Sequence, residues 1–164
     1  MKLYKLCRLI LTFMLAAGLS GCATTTIQSR HSYDSGTDFS GLNSYAWVPG
    51  YEAGFSTSES ARHFQSTMDK TLATKGFNLN PDAPDFLIKT HLVESYVEKY
   101  KTYAGNFDVP KAMVRINLLN PSSNEVIYES AASAIFDIDA NQASKNDIID
   151  KAVEALLSNF PPGR

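Results

Sequence analysis

The chain has 164 residues, 15 Lys and Arg against 17 Asp and Glu, a formal net charge of −2, and 44% hydrophobic residues. That length suits a single folded domain. The mild acidity argues against a nucleic-acid partner, because nucleic-acid binders carry basic patches and no long run of positive charge follows residue 22.

Met1 to Arg8 carries Lys2, Lys5 and Arg8 and no acid, and Leu9 to Leu19 is apolar except for Thr12. A positive segment followed by a short apolar one reads as a signal peptide over 1–21. It is too short to span a bilayer, which takes roughly 20 apolar residues. The segment ends in Leu19-Ser20-Gly21-Cys22, which resembles the lipobox of bacterial lipoproteins. The resemblance implies a diacylglycerol thioether on the Cys22 sulfur, cleavage between Gly21 and Cys22, and acylation, as with palmitate, of the new amino terminus. Two or three acyl chains on one residue give stable membrane anchoring, where a single chain holds only marginally. Ala23 stands where an Asp would resemble the inner-membrane retention signal of enteric-type bacteria. The expected location is therefore the inner leaflet of the outer membrane, facing the periplasm.

Cleavage removes Cys7 with the signal, so the 143 remaining residues keep one cysteine, the lipidated one, and form no internal disulfide. It also removes three cations and no acids. Twelve cations then face seventeen acids, a net charge of −5. Residues 22–29 read as the lipidated terminus and a polar Thr-rich tether, and 30–164 as one domain, with Ile27 onward able to join the first strand.

Arg30 to Asp34 is expected to be a strand, followed by a turn at Ser35-Gly36-Thr37-Asp38. Ser44 to Val48 is a second strand, with Tyr45 and Trp47 on one face and Ala46 and Val48 on the other. Pro49-Gly50 ends it. Ser56 to Glu59 matches a capping box, and Ala61, Phe64, Met68 and Leu72 recur as one helical stripe. The helix is predicted over about Thr57 to Lys75, with Gly76 just past its end. Phe77 to Leu79 is a short extended piece, and Asn80 to Pro84 is a rigid loop.

Asp85 to about Lys101 is rich in Val, Ile, Tyr and Thr, and is long enough for a strand that a bend or bulge is expected. Ala112 to Leu119 and Glu125 to about Ile138 are the two strands of a hairpin closed at Asn120 to Asn124. The small side chains from Ser130 to Ala134 suggest that a helix lies close over this strand. A last helix begins near Ala143 or Ser144. Its apolar face comprises Ile148, Ile149, Ala152, Val153, Leu156 and Leu157 and runs on to Phe160, with Pro161-Pro162 ending it. The predicted order is ββα-βββα, with room for one short extra strand. The predicted fold is α+β, an antiparallel sheet with two helices packed on one face.

These segments together resemble a family of bacterial lipoproteins, the domain of unknown function numbered four-one-three-six. The resemblance rests on Tyr33-Asp34 with Asp38-Phe39, on Tyr45-Ala46-Trp47-Val48-Pro49, on Lys75-Gly76-Phe77 and on Pro84-Asp85-Phe86-Leu87. Its last piece is Asn159-Phe160-Pro161-Pro162. It covers roughly Tyr33 to Pro162, with Tyr96 to Asp108 less family-like. It implies a lipid-anchored α+β envelope domain and carries over no catalytic residue and no ligand.

Catalytic and metal patterns are weak. His91 and Glu94 are three apart in a strand and point to opposite faces, as do His31 and Asp34, so neither pair suits a shared metal. No zinc spacing, no G-x-S-x-G and no phosphate-cradling glycine loop occurs. Asp137 and Asp139 share a strand face near a strand end, where solvated acids are common. No catalytic residue, metal or cofactor is therefore assigned.

The candidate binding surface is Tyr96, Tyr100 and Tyr103, because tyrosine presents a rigid amphipathic ring suited to protein or sugar contacts. In an extended strand Tyr96 and Tyr100 share a face with Glu94 and Glu98. The expected function is a non-enzymatic envelope lipoprotein that binds another envelope protein or maintains the envelope. The alternative is a hydrolase acting on a cell-wall or lipid substrate.

Overall fold

The computed structural model describes residues 26–49, 59–103, 105–135 and 140–163, with side chains except at 92–98, 100–102 and 106–110. The signal segment, the lipobox, Ser56 to Ser58 of the capping box, and Asp137 and Asp139 lie outside the described residues.

Six strands form one sheet: β1 (Gln28–Tyr33), β2 (Ser44–Trp47), β3 (Asn78–Leu79), β4 (Phe86–Thr102), β5 (Gly105–Leu119) and β6 (Val126–Ile135). Helix α1 (Glu59–Thr74) follows β2, and α2 (Gln142–Leu157) follows β6. The sheet order is β1-β6-β5-β4-β2-β3. The α+β class stands, but the sheet is mixed where an antiparallel one was expected. Strand β2 pairs in parallel with β4 and with β3. The reason is the crossover: a helix between two neighbouring strands brings the chain back in its original direction. The short extended piece at Asn78–Leu79 is the extra strand.

Strand β4 shifts register between Val93 and Tyr96, the expected bulge. Strand β5 begins at Gly105, well before the expected Ala112. Its first half carries Asn106, Asp108 and Pro110, which have low strand propensity. Pairing with β4 from Thr102↔Gly105 onward makes it a strand nonetheless.

Alternation along the strands splits the sheet into two faces. Phe86 and Ile88 of β4, Ile116 and Leu118 of β5, and Tyr128, Ser130 and Ala132 of β6 are buried on the face that the helices cover. The α1 stripe of Ala61, Phe64, Met68 and Leu72 is buried, as are Ala152, Val153, Leu156 and Leu157 of α2. The two helices touch each other, and α2 packs over β6, the strand of small side chains. Helix α2 starts at Gln142, capped by Asn141, whose side chain accepts a hydrogen bond from the Ser144 amide.

Phe160, just past α2, is the hub of the core. Its ring centroid lies 5.0 Å from Tyr128, 5.2 Å from Phe77, 5.5 Å from Phe86 and 6.1 Å from Phe39. Phe77 reaches this cluster because α1 ends sharply. Gly76 takes φ +88, a left-handed conformation open to glycine, and the Phe77 amide donates back to the Leu72 carbonyl at 3.0 Å.

Candidate functional site

Three polar clusters and one open surface stand out. The first cluster joins β2 to α1. Tyr45 and Trp47 sit two residues apart on one strand face, so both reach the helix. The Tyr45 hydroxyl donates to Asp69 Oδ1 at 2.7 Å, and the Trp47 indole N–H donates to the same oxygen at 3.0 Å. Burial, and then the Asp69 carboxylate, push the Tyr45 phenol well above its ordinary value.

The second cluster surrounds His31. Its Nδ1 lies 2.9 Å from the Tyr128 hydroxyl and 3.0 Å from Ser130 Oγ, and its Nε2 lies 3.2 Å from Ser158 Oγ. The Tyr128 hydroxyl donates to the Leu156 carbonyl at 3.1 Å, and burial pushes its phenol up to about 12. Ser130 and His31 have the separation of a nucleophile and its base. Ser130, however, has no solvent exposure, and the second ring nitrogen meets a serine, not an orienting carboxylate. The cluster joins β1, β6 and the end of α2.

The third cluster joins the helices. His63 Nε2 lies 2.8 Å from Asp150 Oδ1, and the Thr67 hydroxyl donates to the same oxygen at 2.9 Å. Thr67 thus bonds to the acid and not to the imidazole, which is not the geometry of a relay. Among the described residues no group of three or more His, Cys, Asp or Glu could hold a metal ion.

The sheet face opposite the helices is different in character. Cross-strand partners project to the same side, so the register assembles rows across four strands. One row is Arg30–Ala131–Arg115–His91, and the next is Ser32–Glu129–Asn117–Lys89. Toward the start of β1 comes Gln28–Ser133–Met113, and beyond it Lys111 opposite Ile135. Small side chains at Ala131 and Ser133 leave a concavity of about 520 Å³ bordered by Arg30, Lys111, Arg115 and Glu129. Arg30 and Arg115 are exposed. The His91 imidazole is held below its ordinary value, first by partial burial and then by Lys89 and Arg115, with Glu129 opposing. Burial comes first, and the neighbouring cations add to it in disfavouring the charged imidazole.

The sequence-predicted residues fall as follows. Cys22 and Gly21 lie outside the described residues, as do the side chains of Tyr96 and Tyr100. Backbone register pairs Tyr96 with Lys111 and Tyr100 with Phe107 on the β4–β5 hairpin. Tyr103 is fully exposed at the hairpin tip. The basic face was not anticipated. Its residues come from four strands, and only alternation combined with the register could have grouped them.

Two acids behind the family resemblance, Asp85 and Asp38, hold backbone in place. Asp85 Oδ2 accepts from the Asn43 and Ser44 amides at 2.9 Å each and from the Ser44 hydroxyl at 2.8 Å, pinning the start of β2 to that of β4. The Asn43 amide, and then the Ser44 hydroxyl, hold the Asp85 carboxyl below its ordinary value. The Asp38 carboxylate accepts from the Ser40 amide and caps a short 3₁₀ turn that seats Phe39 in the core.

A family model described as Domain of unknown function (DUF4136) matches residues 29–162, and the chain belongs to that family. No curated protein matches the chain. Among solved structures, a PDZ domain protein from Parabacteroides distasonis aligns at 14% identity and TM-score 0.55, over 86% of this chain and 38% of that one. The chain thus spans well under half of that protein. The PelC dodecamer subunit from Paraburkholderia phytofirmans aligns at 12% identity and TM-score 0.52, over 81% of this chain and 96% of that one. A minor lipoprotein from Acinetobacter baumannii aligns at 7% identity and TM-score 0.45, over 73% and 92%. At these identities the likeness is one of fold.

Proposed function

We propose that this member of the DUF4136 family is a lipid-anchored lipoprotein of the cell envelope that works by binding, not by catalysis. The observation that carries the reading is Leu19-Ser20-Gly21-Cys22 at the end of a short apolar segment with a cationic start. Acyl chains on Cys22 hold the domain at the membrane, and Ala23 favours the inner leaflet of the outer membrane. Within the domain, the described histidines are engaged in packing clusters or stand on the open sheet face. Ser130, the serine nearest His31, is sealed from solvent. This geometry supports binding over the hydrolase alternative. The hairpin that carries Tyr96, Tyr100 and Tyr103 is the proposed contact surface for an envelope protein.

The test is Cys22→Ser with labelled palmitate. Wild type should incorporate label and fractionate with the outer membrane. The variant should incorporate none and accumulate as precursor or mislocalise, while the domain stays folded. Labelled, mature protein recovered from the variant at wild-type level would overturn the anchor.

A further inference from the structure

We propose that the open face of the sheet is a membrane-docking surface for the anionic, phosphate-bearing headgroups of the lipid layer in which Cys22 is anchored. The proposal rests on the Cys22 anchor and adds the part of the domain that meets the bilayer. Two independent observations carry it: where the tether attaches, and where the positive charge lies.

The tether attaches beside the basic face. Four chain steps separate Cys22 from Thr26, a reach of at most roughly 14 Å when fully extended. Thr26 borders a concavity at the rim of the open face, together with Gln28, Lys111, Ser133 and Ile135. The anchor therefore holds this end of the sheet against the lipid surface. Electrostatic attraction to that surface fades over about 8–10 Å, and the tether lets the domain settle until its cations come within that range.

The charge is opposite to that of the whole domain. Twelve cations face seventeen acids after residue 21, which should repel the domain from an anionic bilayer. Among the described side chains of the open face, the cations Arg30, Lys89, Lys111 and Arg115 stand with one carboxylate, Glu129, and the register adds Glu98 on the same side nearer the hairpin tip. The domain is thus polarised, and the cations sit on the face whose rim Thr26 borders. Guanidinium groups on Arg30 and Arg115, in the same row on either side of β6, suit bidentate contact with phosphate oxygens. A basic patch next to an acyl anchor is also the combination that strengthens a lipid anchor.

The test uses the soluble chain Ala23 to Arg164. Every described strand and helix and every core side chain lies after Thr26, so this chain keeps the fold. It should sediment with vesicles of phosphatidylethanolamine and phosphatidylglycerol, not with vesicles of phosphatidylcholine, and should release as salt is raised. Changing Arg30, Lys111 and Arg115 together to Gln should weaken vesicle binding by roughly a hundredfold, about fivefold per cation. The melting temperature should not move. Should the triple variant fold poorly, Arg30→Gln and Arg115→Gln singly, both at exposed positions, serve as the same readout. Equal partition onto both vesicle types, or full binding by the variant, would overturn the proposal. So would a dimer in solution broken by the same substitutions, since a second copy would then cover the face. Saturable uptake of inorganic phosphate that displaces the vesicles would also overturn it, in favour of a soluble anion. Because this chain lacks Cys22, charge-dependent binding can hold while palmitate labelling fails, or the reverse, so the two readings fail separately.

Discussion

Tyr45 and Asp69 are joined by a 2.7 Å hydrogen bond that fastens β2 to α1, twenty-four residues further along the chain. The Tyr45 ring is 1% exposed and stacks on Phe86 at 5.9 Å, so its hydroxyl relies on Asp69 for its hydrogen bond. Asp69 satisfies that hydroxyl and the Trp47 indole with a single oxygen.

Asp69→Ala should therefore destabilise the domain by about 1–3 kcal/mol, because a buried donor is left unpaired. Tyr45→Phe removes donor and hydroxyl together and should cost only about 1 kcal/mol. In a double-mutant cycle by urea unfolding, the two losses should couple by at least about 0.5 kcal/mol. Strict additivity would mean that the bond does not link the two elements.

Phe160→Ala should be the most damaging core truncation. The ring meets four aromatic partners at 5.0–6.1 Å, and such deletions cost about 3–5 kcal/mol. That is a large share of a total stability of about 5–15 kcal/mol. Phe160→Leu, which keeps most of the volume, should lose far less. A melt in which the two variants are equal would remove Phe160 from the centre of the core.

The Asp85 clamp should make stability depend on pH in one direction. Its carboxyl titrates below the ordinary 3.8 in the folded chain. The ionised form is thus favoured by folding, and the stabilisation is present above pH ~4 and lost as pH falls through the lowered value. Asp85→Ala should lower the melting temperature at pH 7, and the gap to wild type should narrow as pH falls below that range. A gap that is constant from pH 7 to pH 2 would contradict the charge-assisted clamp.

The tyrosine hairpin is tested by stability before any partner is known. Tyr103 is fully exposed, and Tyr103→Ser should stay within about ±0.5 kcal/mol of wild type. If Tyr96 and Tyr100 belong to the same recognition surface, changing both to Ser should also leave the melt nearly unchanged. Binding of an envelope partner should then fall by about 2 kcal/mol or more. A loss of about 3–5 kcal/mol in the double variant, the cost of truncating a buried aromatic, would make them core residues and refute the surface.

Local patterns carried much of the fold. The three- and four-residue spacing of Ala61, Phe64, Met68 and Leu72 placed α1 and its buried side, because a helix repeats every 3.6 residues whatever surrounds it. Alternation put Tyr45 and Trp47 on one face, and both bond to one oxygen of Asp69. The run from Ser130 to Ala134 signalled a helix overhead, and α2 packs there. Strand β5 starts well before the expected Ala112, because pairing with β4 overrides the low strand propensity of Asn106, Asp108 and Pro110.

The sequence alone determined the lipobox reading of Cys22, the two helices with their apolar faces and the mildly acidic charge, since each rests on neighbours along the chain. Tertiary structure decided the parallel pairing of β2 with β4, because strand direction depends on where the crossover helix returns the chain. It also decided that His31 would meet Ser158, 127 residues away, and that His63 would meet Asp150. Above all it gathered Arg30, Arg115 and Lys89 onto one face, and no spacing along the chain predicts which residues register will set side by side.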